Sequence, residues 1–146
     1  MHTNQTGIDL IKNSEGLRLD AYRGPSGIWL IGYGHKLGVR EGMSISEAEA
    51  EDILRTDLVQ FEDDIKQRLE VPVTENELSA MVSLSYSIGS FAFARSTVLK
   101  ELNAGHRAAA ADAFLLWNKV ASGGKLVVSE HLSDRRQQER ALFLKP

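Results

Sequence analysis

At 146 residues, 42% hydrophobic and 25% charged, the chain has room for one compact domain with one sizeable core, or two small lobes sharing one. Its lack of cysteine excludes a disulfide framework, a thiolate nucleophile and a zinc–cysteine cluster, and leaves the redox compartment unread. The net charge of −3 hides an uneven spread, because residues 41–77 hold twelve acids against three bases while nine bases face five acids from Leu78 onward. Arg135, Arg136, Arg140 and Lys145 gather near the end, which suits either an anionic polymer or a solvated helix face. No aromatic residues interleave with them to stack bases, so nucleic acid is not expected as a partner. No apolar run approaches the roughly 20 residues of a membrane span, and MHTNQTGIDLIK lacks the basic start and apolar block of a signal peptide. The expectation is a chain made in the cytoplasm without a signal peptide and without stable membrane insertion. His2, His35, His106 and His131 show no metal-ligand spacing, so no metal is expected.

In chain order, Ile8 and Ile11 at helical spacing predict a short helix over about 7–14, with Thr6 as a possible cap and Gly16 as its end. Between Leu17 and Gly38 the character changes. Glycines at 24, 27, 32, 34 and 38, with Pro25, separate short apolar runs, predicting a small antiparallel hairpin or meander. Ser46 with Glu49 forms a capping-box pattern ahead of Leu54, Leu58, Phe61, Ile65 and Leu69, the buried stripe of a long amphipathic helix. Pro72 breaks the chain, and Thr74 with Glu77 opens a second helix that Gly89 stops. Further helices are predicted at about 95–103 and 106–120. Gly123–Gly124 opens a loop before a last helix around 133–144. The fold class is α+β, mainly α, with a small antiparallel β lobe at about 16–45, a linking helix at about 46–69 and a helical lobe at about 70–146 that includes the N-terminal helix. A cleft between the lobes is where a site is expected, and Glu15 falls at its edge.

The run Glu15–His35, EGLRLDAYRGPSGIWLIGYGH, closely resembles the opening of the phage-type lysozymes, the muramidases with which bacteriophages break host peptidoglycan. The resemblance extends through VTENELSAMVSLSYSIGSFAFARSTVLKELNAG, with an aromatic–x–x–Gly pattern at Tyr86–Gly89. It then covers AAADAFLLW, ending at Trp117, and Asp134–Phe143, effectively the whole chain. It implies a lysozyme-like single domain, 1–146, with a glycan cleft between a sheet lobe and a helical lobe. No cofactor is implied. The implied substrate is the peptidoglycan glycan strand, cut at the β-1,4 link between N-acetylmuramic acid and N-acetylglucosamine. The implied protein is a monomer that acts on the wall after release through a membrane lesion made by a partner holin.

The family's signature is a glutamate, an aspartate or cysteine with eight residues between, and a threonine after five more. A protonated carboxyl donates to the leaving glycosidic oxygen while the second group serves the opposite sugar face, and the threonine helps position the attacking water, giving inversion. Here the three positions are Glu15, Gly24 and Leu30. Glycine cannot hold water with a side chain and leucine cannot hydrogen bond. Asp20 is the nearest other carboxylate, but an extended 15–20 segment sets it roughly 16 Å from Glu15. Working pairs need about 5–9.5 Å. Ser26, in the turn, could bind a water. Ser87 replaces the family's usual asparagine or glutamine, and His131 replaces a common glycine. The resemblance assigns substrate binding to His35, Tyr86, Ser87, Trp117 and Arg135, with Arg135 pairing to the catalytic glutamate. His35 orienting the sheet and Trp117 filling the core are the competing structural roles. Two functions are compatible with these residues: a muramidase of reduced turnover using Glu15 as general acid, or a degenerate lysozyme fold that binds glycan or protein without catalysis.

Overall fold

The structure, a computed structural model, describes residues 1–146. Helix α1 (Gln5–Glu15) starts on Asn4, whose side chain accepts from the Gly7 amide; the expected cap at Thr6 is instead the second helical residue. It ends at Gly16, making Glu15 the last helical residue, just before the first strand. Strands β1 (Arg18–Arg23) and β2 (Trp29–Gly32) form an antiparallel hairpin, irregular between Arg18 and Tyr22. Its loop is a β-turn closed by the Gly27 amide donating to the Gly24 carbonyl, with Pro25 supplying the fixed φ at the second position. The chain returns along the other side of β1, where the Ala21 amide donates to Met43 and the Ile45 amide to Leu19. This completes the expected meander.

Helix α2 (Glu47–Arg68) has the full reciprocal capping box of Ser46 and Glu49. Leu54, Leu58 and Ile65 are buried and Phe61 is partly buried, while among its acids only Glu62 is buried. Thr74 and Glu77 cap α3 (Glu75–Ile88) the same way, and every residue from Glu77 to Ser85 is buried. Such all-round burial marks a central helix. Helix α3 packs against α1, α2, the short α4 (Ser90–Ala94) and α7 (Glu130–Leu144). The hydrophobic core gathers around it, from Ile8 and Ile11 through Leu78, Met81 and Leu84 to Phe93, Phe114 and Phe143. No helix is long and apolar enough to cross a membrane.

Three expectations need correction. The helix predicted at 95–103 begins at Thr97, as α5 (Thr97–Asn103), because Ser96 caps it; α4 before it lacks a sequence signal. The helix predicted at 106–120 stops early, as α6 (Arg107–Ala113) followed by one 3-10 turn at Phe114–Leu116. Beyond that turn the chain forms a second antiparallel hairpin, β3 (Lys119–Ser122) and β4 (Lys125–Val128), turning on Gly123–Gly124. Both glycines have positive φ, as a two-residue hairpin turn with native twist requires. The last helix starts three residues before the prediction, capped by Ser129.

Candidate active site

An open cleft of about 410 Å³ runs between the first hairpin, the end of α1, and the facing sides of α2 and α3. Glu15, Ser26, Leu30, His35 and Tyr86 line it together, as does Asp57. At the C-terminal end of α1, the Glu15 carboxylate meets the negative end of the helix dipole and needs a countercharge. Arg135 supplies it from the other end of the chain, its Nη1 donating to Glu15 Oε2 at 2.6 Å. Arg135 is buried whereas a quarter of the Glu15 side chain is exposed. Glu15 Oε1 makes no hydrogen bond within the chain. It faces the same space as the Tyr86 hydroxyl: a β-carbon at Gly34 would lie 3.7 Å from Glu15 Oε1 and 3.6 Å from Tyr86 Oη. Gly34 also has φ +94°, so a side chain there would be strained.

Tyr86 donates its hydroxyl proton to the Tyr33 carbonyl at 2.7 Å. Burial, reinforced by the negative charges of Glu15 and Asp57, pushes its ionisation well above the ordinary phenol range, so it stays a neutral donor. His35 Nδ1 donates to Asp57 Oδ2 at 2.7 Å, tying the turn after β2 to α2. Asp57, Gln60 and Phe61 share one face of α2 and all line the cleft, although sequence reasoning singles out none of them as site residues. The available signal is an acid and an amide at i, i+3 spacing beside the apolar stripe. Phe61 packs edge-on against Tyr86, centroids 5.4 Å apart.

The hairpin wall differs. Gly24 and Leu30 are in mutual contact, since a β-carbon at Gly24 would sit 2.9 Å from Leu30 Cδ1. The leucine methyl therefore fills the space that a side chain at 24 would enter. Ile28, Leu30 and Leu37 give this wall an apolar lining, with Ser26 as its polar residue in the turn. Asp20 is fixed elsewhere, accepting from the Ser44 hydroxyl, and does not line the cleft.

Ser87, Trp117 and Arg135 do not line the cleft. Ser87 Oγ accepts from Arg136 Nη2 at 2.7 Å, and the Trp117 carbonyl accepts from Arg136 Nε at 2.8 Å, with the indole partly buried against the core. Arg136 in turn donates to Glu139 Oε1 at 2.8 Å, while Arg135 Nε reaches Glu139 Oε2 at 3.2 Å. Arg135, Arg136 and Glu139 are all buried, so of the four terminal bases only Arg140 and Lys145 remain open to solvent. His131, on the same helix, donates from Nε2 to the Ser14 carbonyl and so fastens α7 beside Glu15. No cluster of three or more His, Asp or Glu side chains is arranged to hold a metal ion.

Comparison with known proteins gives the family. Residues 12–139 match the family described as phage lysozyme. The endolysin of Acyrthosiphon pisum secondary endosymbiont phage 1 is 41% identical over 143 residues, covering 98% of each chain. Among solved structures, the muramidase domain of SpmX from Asticaccaulis excentricus superposes with a TM-score of 0.95 at 37% identity, covering 100% of both chains. A P22 lysozyme mutant superposes at 0.87 with 43% identity and 99% coverage of both. The chain belongs to the phage lysozyme family.

Proposed function

We propose that this protein is a peptidoglycan muramidase of the endolysin type, hydrolysing β-1,4 links between N-acetylmuramic acid and N-acetylglucosamine with reduced turnover. The observation that carries the reading is the Glu15 carboxyl at the cleft, one oxygen held by Arg135 and the other open to a bound sugar. Protonated, Glu15 donates to the departing glycosidic oxygen. Attack on the anomeric carbon then falls to a water that neither Gly24 nor Leu30 can hold, leaving Ser26 as the hairpin's polar group nearest to that task. His35 and Tyr86 form the opposite, polar side of the glycan site. On this reading residues 1–146 are one lysozyme-like domain and act as a monomer, and the wall is reached after holin-dependent release.

The test is clearing of purified peptidoglycan by the parent protein, by Glu15→Gln, and by the double variant Gly24→Asp with Leu30→Thr, each matched for folded content by circular dichroism. Slow clearing by the parent, none by Glu15→Gln and a strong gain in the double variant are expected. No clearing by any folded variant would overturn the enzymatic reading in favour of a glycan- or protein-binding module.

A further inference from the structure

The cluster behind Glu15 contains a fully buried carboxylate that the proposed chemistry leaves unused. Glu139 sits on α7 with both oxygens engaged, Oε1 by Arg136, and Oε2 by Arg135 and by the Ser83 hydroxyl at 2.5 Å. Arg135 Nη2 also donates to the Ser83 carbonyl at 3.0 Å, so its guanidinium has one fixed orientation. Four charges result, Glu15 and Glu139 against Arg135 and Arg136, and only Glu15 opens to the cleft. They sum to zero when Glu15 is ionised and to +1 when it carries the proton that a general acid requires. The other titratable groups that line the cleft with Glu15 are Tyr86 from α3, Asp57 from α2, and His35 with Lys36 from the turn after β2, while His131 of α7 is bonded to the neighbouring Ser14 carbonyl. None of these approaches Glu139 or Arg136 within hydrogen-bonding distance.

We propose that Glu139 is a positioning residue: held between Arg135 and Arg136 behind Glu15, it orients Arg135 and offsets one arginine charge, keeping protonated Glu15 accessible. Without Glu139, two buried guanidinium groups would face a single carboxylate, and the proton on Glu15 would be disfavoured. Without Arg136, the excess would be negative and the proton favoured. A purely structural role predicts no such opposition of sign. The catalytic meaning rests on the proposed use of Glu15 as acid, but the electrostatic effect does not.

The experiment is a carbon-13 NMR titration of the side-chain carboxyls in the full chain, with the Glu15 signal identified by its loss in Glu15→Gln. Relative to the parent, Glu139→Gln should move the Glu15 protonation midpoint down by about one pH unit, a tenfold change in proton affinity. Arg136→Gln should move it up by a similar amount. Combining the two restores the charge balance and should return the midpoint close to the parent's, although more hydrogen bonds have been lost. Midpoints that stay put in both single variants, or move in the same direction, would overturn the proposal, as would a double variant displaced further than either. Where Glu139→Gln does not fold alone, the double variant is compared with Arg136→Gln: a midpoint back near the parent's upholds the role of Glu139, and one left as high as in Arg136→Gln overturns it. Opposite shifts without clearing of peptidoglycan by any variant would uphold this role for Glu139 while sinking the muramidase reading.

Discussion

The two walls of the cleft are built differently. On the helical side, Glu15 is fixed by a buried ion network joining α1, α3 and α7, the first and last helices of the chain among them. On the hairpin side, the two motif positions are Gly24 and Leu30, which touch each other across a turn closed by local hydrogen bonds. A change in the first wall strands a buried charge, whereas a change in the second exchanges one short-range contact for another. The difference teaches why a motif can lose its second and third members while the first stays in place: Glu15 partners a buried arginine that the fold must neutralise, and residues 24 and 30 have no such obligation.

Stability measurements offer the harshest way to break this contrast. Glu139→Ala leaves two buried guanidinium groups short of their shared partner, and removing one member of a buried ion pair costs about 3–5 kcal/mol. Ile28→Thr, at a half-exposed position of the hairpin wall, should stay within about 0.5 kcal/mol. Urea denaturation of both variants checks the pair, and equal losses would show that the walls are not differently anchored.

Restoring the motif should come next in size, and it should be non-additive. Because Leu30 Cδ1 occupies the space beside the Gly24 β-position, Gly24→Asp alone must first displace it, while Leu30→Thr clears the space without supplying a base. A positioned base or acid contributes about 10²–10⁴-fold, so the double variant should gain on the order of 10² in initial clearing rate, well above the product of the single gains. Multiplicative singles would show that Leu30 yields freely and that the two positions act separately.

Much of this is legible in the sequence, for identifiable reasons. Both capping boxes announce their helices because a side chain and a backbone amide three residues apart must satisfy each other locally. The cleft position of Glu15 follows from the order of elements, but its role and its pairing with Arg135 are readable only through the family resemblance; no local rule links positions 120 residues apart. The second hairpin is not readable because Val120, Leu126, Val127 and Val128 are all exposed, and a strand without a buried face shows no alternation. Asp57, Glu62 and Glu139 look like three more acids on amphipathic helices. Their burial or cleft position depends on which neighbours the tertiary fold supplies.

A third measurement asks whether the helical wall is held at the far end of α1 too. Before α1 begins, the Thr3 amide and hydroxyl both donate to Glu62 Oε2, at 2.8 and 2.6 Å, and His2 Nδ1 donates to Oε1 at 2.8 Å. Burial pushes the Glu62 carboxyl up, but the bonds from Thr3 and His2 outweigh it and hold it below the ordinary value of 4.5. A lowered native value means that this stabilisation is present above pH 4.5 and is lost as pH falls through the native value. Glu62→Gln should cost about 1–3 kcal/mol at pH 7 and flatten the decline in stability below pH 4.5. An unchanged acid limb in denaturation midpoints measured from pH 3 to 7 would show that Glu62 does not anchor this end of the helix.

The smallest effect is expected in the last turn of α1, where Lys12 Nζ donates to Glu51 Oε1 of α2 at 2.6 Å. Both side chains remain partly solvated, 26% and 34% exposed, so water already screens the pair. Their mutual hydrogen bond raises Lys12 above its ordinary 10.5 and lowers Glu51 below its ordinary 4.5, so the tie contributes between those values. It fades as pH falls through the native Glu51 value or rises through that of Lys12. Lys12→Met keeps an unbranched stem while deleting the charge that lies over the Tyr33 ring and bonds Glu51, and should cost less than about 1 kcal/mol at pH 7. In 1 M salt, where the screening length falls to about 3 Å, the difference from the parent should shrink. Thermal melts at both ionic strengths provide the check. A loss matching that of Glu62→Gln, or one indifferent to salt, would mean that the last turn of α1 is anchored by packing of the lysine side chain, and that Glu15 is held through its own helix as well as through Arg135.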